Sequence, residues 1–221
     1  MREIVKVENI QTIDVEADLI KLNNKFAEEN RKIFEKYRVR AFDVMGSVGT
    51  GKTSLIERLV QALKEKYSIA VVNGDLTTTI DADLIGKHGV KVVQINTGKE
   101  CHLEANMIKK ALEKIDLEKI DLIFIENVGN LICPTDFKLG TEKRIVVVSV
   151  TEGGYVAVKH PLTFLNADIV VVNKVDLAEI MGVNLEKLEN EIRSINPKIK
   201  TVRVSCKTGL GIDKLIEILN L

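Results

Sequence analysis

The sequence predicts an α/β fold: a mostly parallel sheet flanked by helices, preceded by an N-terminal helix. Short apolar runs alternate with stretches of helical spacing along the chain. A glycine-rich loop, Gly46-Ser47-Val48-Gly49-Thr50-Gly51-Lys52-Thr53, joins one such run to one such stretch and matches G-x-x-x-x-G-K-S/T at every fixed position. A later apolar run closes on an isolated carboxylate, Glu126, as the second phosphate-site strand of a P-loop NTPase does. Residues 1–38 then form an N-terminal segment with an amphipathic helix, and residues 39–221 the nucleotide-binding domain.

The elements follow in order. Over residues 15–37, Leu19, Leu22, Phe26, Ile33 and Tyr37 recur near helical spacing among charged residues. That reads as an amphipathic helix packed on the edge of the sheet, with a partner-binding arm as the alternative. Ala41-Phe42-Asp43-Val44-Met45 suits a buried strand, and 54–63 a helix with Leu55, Leu59, Ala62 and Leu63 on one face. Between them, backbone N–H groups converge on the α and β phosphates, where the helix dipole favours negative charge. Lys52 would reach the β and γ phosphates and the Thr53 hydroxyl would ligate Mg²⁺. Gly46, Val48, Gly49, Thr50, Gly51, Lys52, Thr53 and Ser54 are therefore the phosphate-site candidates.

The strand at 68–73 ends in Gly74-Asp75. Asp75 could ligate Mg²⁺ or orient the attacking water, or it could cap a helix over 82–88, and the residues alone leave both readings open. A strand at 90–96 leads through Cys101-His102 to a helix over 103–115. The strand at 121–125 ends at Glu126, which would hold a Mg²⁺-bound water, while Gly129 fits a backbone amide near the γ phosphate. Lys52, Asp75 and Glu126 are thus the catalytic candidates. Asn130 stands where many GTPases carry a water-positioning glutamine, so slow intrinsic hydrolysis is expected.

Three further strands are expected at 144–150, 168–172 and 200–204. The second runs into Asn173-Lys174-Val175-Asp176, the guanine-specificity pattern. A carboxylate at Asp176 accepts from both N1–H and the N2 amine of guanine, and adenine offers neither. The Lys174 stem can cover a base face and Asn173 can tie this loop to the phosphate loop. Ser205-Cys206-Lys207 fits the loop whose amide meets guanine O6. The substrate is therefore GTP, and 39–221 a GTPase domain.

Composition bounds the rest. At 221 residues with 45% hydrophobic content, the chain suits one substantial core rather than two. Thirty-two basic and thirty-two acidic residues cancel, so no net field draws nucleic acid or a membrane surface, and the basic stretch 36–40 reads as a solvated face. No apolar stretch approaches the roughly 18 residues of a membrane span, and residues 1–18 lack the apolar h-region of a secretory signal, so the cytoplasm is expected. Three cysteines form no disulfide framework. Cys206 occupies the small-residue position of the base loop. Cys101, His102 and Cys133 all lie just past strand ends on the nucleotide edge. Two thiolates and an imidazole suit Zn²⁺ or Ni²⁺, with a position open for water or for a ligand from a second subunit. Buried cysteines and a surface histidine are the plainer alternative, still open here.

The order of Gly46 to Thr53, Gly74-Asp75, Cys101-His102, Glu126-Asn127-Val128-Gly129-Asn130-Leu131-Ile132-Cys133-Pro134 and Asn173-Lys174-Val175-Asp176 resembles the HypB family of hydrogenase nickel-incorporation GTPases. The resemblance spans most of the chain and is most specific over residues 126–134. It implies a GTPase of the dimerising P-loop (SIMIBI) class that delivers nickel to the large subunit of nickel–iron hydrogenase, working with a small zinc-containing HypA-like partner. It also implies that Cys101, His102 and Cys133 bind Ni²⁺ or Zn²⁺. The related urease GTPase, UreG, pairs its ligands as Cys-Pro-His, whereas here Cys-His precedes a separate Cys-Pro. A regulatory GTPase switch without metal work shares every nucleotide motif and is the other alternative. Residues 1–40 contain neither cysteine nor histidine, so the N-terminal nickel motif of some family members has no counterpart there.

Overall fold

Valine and isoleucine fill the strands, as suits pleated surfaces covered on both faces. In the computed structural model, which describes residues 15–76 and 80–221, seven of these runs pair: β1 (Arg40–Met45), β2 (Ile69–Asp75), β3 (Lys91–Asn96), β4 (Leu122–Glu126), β5 (Lys143–Ser149), β6 (Ile169–Asn173) and β7 (Lys200–Arg203). Residues 1–14, on which most of the leader reading rests, and Thr77, Thr78 and Thr79 in the loop after Asp75 lie outside the described residues. The strand order is β3-β2-β4-β1-β5-β6-β7 and every pairing is parallel, giving the P-loop NTPase sheet of the SIMIBI class. Glu126 is in register with Val44 on one side and Asn73 on the other, so the chain leaves β1, β2 and β4 along one edge.

Among the described residues eight α-helices cover the faces: α1 (Val15–Tyr37), α2 (Lys52–Leu63), α3 (Ile80–Gly86), α4 (Ala105–Leu112), α5 (Val156–Lys159), α6 (Pro161–Leu165), α7 (Leu185–Ile195) and α8 (Ile212–Leu219). Alternation along the strands divides them. Phe42, Val44, Phe124, Ile145 and Val171 face α2, α3 and α8. On the opposite face, Ala41, Ala70, Ile123 and Ile125 meet α1 and α4, and Val146, Val148, Val170 and Val172 meet α5 to α7. Among the described residues no helix is long and apolar enough to cross a membrane.

Several boundaries differ from those read in the sequence. Helix α2 begins at Lys52, because the end of the phosphate loop is already the first helical turn. Helix α3 begins two residues earlier than expected, and α4 is confined to Ala105–Leu112. Strand β5 stops at Ser149, whose hydroxyl and the Glu152 carboxylate cap the next turn reciprocally.

The first helix is the larger correction. It does not rest on the sheet edge but across the start of α4 and the loop before β5. Leu19 and Leu22, read as part of its apolar face, are 52% and 53% exposed, and the buried face is Asn23, Ala27, Asn30 and Phe34. Asn30 Nδ2 donates to the carbonyls of Ala105 (2.8 Å) and Leu139 (3.1 Å). Asn23 donates to Lys138 O and accepts from Ala105 N, both at 2.8 Å. Gly140, at φ +88°, passes beneath this helix where a Cβ would strike the Ala27 carbonyl.

Candidate functional site

The phosphate loop leaves β1 at Gly46 and enters α2 through Gly51. Gly51 sits at φ +95°, and a Cβ there would collide with Asn173 Nδ2. That close approach explains the glycine. Asn173 Nδ2 donates to Thr50 O at 2.8 Å, Lys174 Nζ donates to Gly49 O at 2.6 Å, and Asn173 Oδ1 accepts from Cys206 N at 3.2 Å. The loops after β1, β6 and β7 are thereby knitted into one rim. Arg58, on α2, adds to it by donating to the carbonyls of Cys206 (2.7 Å) and Lys207 (3.0 Å). Ser205 is buried and Asp176 is exposed, in a single 3-10 turn beside the rim. Burial pushes the Cys206 thiol up to about 11, so it remains a thiol.

Beneath the loop, Thr53 Oγ1 donates to Glu126 Oε1 at 2.7 Å, while the buried Glu126 Oε2 has no partner. Burial pushes this carboxyl up to about 7, against the pull of the Thr53 hydroxyl and Lys52. Lys52 is itself buried, its Nζ 3.3 Å from Ser47 O, and burial pushes its pKa down. These groups line a cavity of about 470 Å³ together with Gly129, Ser54, Asp75, Asp81, Glu57 and Leu84. The Thr53 hydroxyl and a Glu126 carboxylate with an uncommitted oxygen are donor types that suit a hard divalent cation such as Mg²⁺, and Asp75, Asp81 and Glu57 line the same cavity. A larger cavity, about 730 Å³, lies between α1 and the loop before β5 and holds none of the nucleotide motifs.

Asp81, Glu57 and Arg58 are absent from the sequence reading. Asp81 stands in the first turn of α3, within reach of a reader who follows the loop after Asp75 far enough. Glu57 and Arg58 carry no signal, since only the packing of α2 brings them here.

Cys101 follows β3 and Cys133 follows β4, and the structure brings them near one another: the neighbouring Cys133 thiol, with burial, pushes Cys101 up. His102 Nδ1 lies 3.8 Å from Cys101 Sγ. The His102 ring packs on Phe137, centroids 4.0 Å apart, and its Nε2 is buried without a partner. Burial lowers its pKa, so the ring is held neutral, the form that donates to a metal. Among the described residues, no group of three or more His, Cys, Asp or Glu side chains is arranged to hold an ion within one chain. The Cys133 loop also touches the phosphate loop. Asn130 bridges to Gly46 through the backbone, and a Cβ at Gly129 would run into the Val48 side chain.

Comparison with known proteins bears on both halves of this edge. Residues 41–203 match the nucleotide-binding domain of the CobW/HypB/UreG family. The chain is 51% identical to the probable hydrogenase maturation factor HypB of Methanocaldococcus jannaschii over 208 residues, 94% of each chain. The crystal structure of hydrogenase maturation factor HypB from Archaeoglobus fulgidus superposes with a TM-score of 0.85 at 43% identity, over 90% of this chain and 98% of that one. HypB from Helicobacter pylori, crystallised in complex with nickel, superposes with a TM-score of 0.86 at 35% identity, over 90% of this chain and 94% of that one.

Proposed function

We propose, from the premise that the chain belongs to the CobW/HypB/UreG family and within it to the HypB hydrogenase maturation factors, that it is a GTP-hydrolysing metallochaperone. It binds nickel or zinc and assists nickel insertion into nickel–iron hydrogenase.

On this reading the amides from Gly46 to Ser54 hold the phosphates, Lys52 neutralises the β and γ oxygens, and Thr53, Asp75 and Glu126 hold Mg²⁺. The cation, when bound, offsets charge developing on the transferred phosphoryl group. Asp75 or Glu126 orients the water that attacks the γ phosphorus, releasing GDP and phosphate. Asp176 selects guanine, with Asn173, Lys174, Ser205, Cys206 and Lys207 shaping the base pocket. Asn130, shorter than a glutamine, leaves the water poorly positioned, which keeps turnover slow.

Nickel is cargo rather than a resident cofactor. Cys101 and Cys133 supply thiolates and His102 an imidazole, and a second copy of the chain, joined when GTP is bound, completes the set. A HypA-like accessory protein and the hydrogenase large subunit are the partners, in the cytoplasm, with no role for nucleic acid or membrane.

One observation carries the reading: the neighbouring thiols sit in loops continuous with the nucleotide site, with Cys133 seven residues past Glu126 on a segment bridged to Gly46. Ni²⁺ titration of the wild type, Cys101→Ala and Cys133→Ala, each nucleotide-free and with GDP or a GTP analogue, tests it. Each substitution is expected to weaken binding at least about tenfold. Unchanged binding in both would leave a GTPase switch without metal work.

A further inference from the structure

We infer that Asn127 is a positioning residue, which with Asp43 and Arg144 couples the loops bearing Cys101, His102 and Cys133 to the strand end bearing Glu126. The inference rests on the metallochaperone reading and names how its two sites communicate.

Asn127 directly follows Glu126 and is 1% exposed. Its Oδ1 accepts from Leu103 N at 3.0 Å and Val128 N at 3.1 Å, and its Nδ2 donates to Asp43 Oδ1 at 3.2 Å. Asp43 Oδ2 accepts from Arg144 Nε at 3.0 Å. The same guanidinium donates to Thr135 O at 2.7 Å and Phe137 O at 2.8 Å. Leu103 is the residue after His102, Thr135 lies two past Cys133, and Phe137 is the ring against which His102 packs. One continuous set of buried hydrogen bonds therefore grips both cysteine loops and begins beside the carboxylate that meets Thr53. Leu103 has a second contact: its side chain fills the space over Gly74, next to Asp75, where a Cβ would collide.

Polar side chains of this kind are costly to bury unless they are satisfied, and an apolar core would fill the volume without them. Here four of the six bonds are aimed at loop amides or carbonyls, those of Leu103, Val128, Thr135 and Phe137, and the other two join Asn127 to Arg144 through Asp43 of β1. When Val128 and Gly129 adjust to a γ phosphate, the Oδ1 shared between Val128 N and Leu103 N moves with them, and Cys101-His102 shifts relative to Cys133. The coupling is between two binding equilibria and must be reciprocal.

The test compares Ni²⁺ affinity at saturating GDP and saturating GTP analogue in the full chain. The wild type is expected to show a ratio of about fivefold or more, Asn127→Ala a ratio within about twofold of one, and the swap Asp43→Asn with Asn127→Asp, which keeps the buried charge and bond count, a restored ratio. Asn127→Ala that lowers Tm yet keeps the wild-type ratio overturns the inference. So does a wild type whose Ni²⁺ binding needs Cys101 and Cys133 but ignores the nucleotide, although the metallochaperone reading then survives. A second readout needs neither variant nor metal: in the wild type, hydrogen exchange at the Leu103 amide must differ between the two nucleotide states, and equal protection overturns the inference even if no Ni²⁺ binds.

Discussion

Glu126 has one oxygen on Thr53 and the other on nothing, and both its burial and its pKa of about 7 follow from closing a strand inside the sheet. In the metal- and nucleotide-free chain the folded state holds this proton between the ordinary value of 4.5 and about 7, while the unfolded state does not. Folded stability from this group is therefore complete below about pH 4.5 and falls by roughly 3 kcal/mol as pH rises to 7 and beyond. Glu126→Gln carries no such proton. Its urea unfolding midpoint, relative to wild type, is expected to rise between about pH 5 and pH 8, and a pH-independent gap would refute this account. The candidate nucleotide residues are legible in the sequence because phosphate and base chemistry demand fixed residue types at fixed spacing, as in Gly46 to Thr53 and Asn173 to Asp176. Arg58 and Asn127 are not legible. Their roles arise only where distant segments meet, Arg58 against Cys206 O and Asn127 against Leu103 N.

At the level of elements, periodicity gives the span of α1 and places Ile33 and Tyr37 on its packed side, but misjudges the face over its first half. The reason is chemical: Asn23 and Asn30 turn inward to satisfy carbonyls at 105, 138 and 139, and a hydropathy pattern scores amides as outward-facing. Leu19 and Leu22 are left in solvent. Asn30→Ala would leave the buried Ala105 and Leu139 carbonyls without their donor and is expected to destabilise the fold by about 2 kcal/mol in urea titration. Affinity for GTP should not change, since the bonds of Asn23 and Asn30 run to residues 105, 138 and 139 and not to the nucleotide motifs, and a parallel loss of GTP binding would contradict that separation. The strands were readable to within one or two residues because each centres on a short apolar run, rich in valine and isoleucine from β2 to β6. The end of β5 falls one residue short of the reading, at Ser149, because the capping pair Ser149 and Glu152 decides it rather than hydropathy.

For the whole molecule, a parallel sheet could be inferred from alternating strands and helices, whereas the strand order could not, since nothing local in β3 or β7 announces an edge. A single chain offers two neighbouring thiols and an imidazole beside them, with no complete cluster among the described residues. In the proposed reading a second chain completes the set. Sedimentation with a GTP analogue and Ni²⁺ is expected to give a dimer holding one ion per two chains, and a monomer under both ligands would refute it. The hydrogen bonds from Asn173 to Thr50 and from Lys174 to Gly49 have a last consequence. They tie the glycine loop to the end of β6, so the two segments behave as one piece, and a disturbance at either is felt by the other.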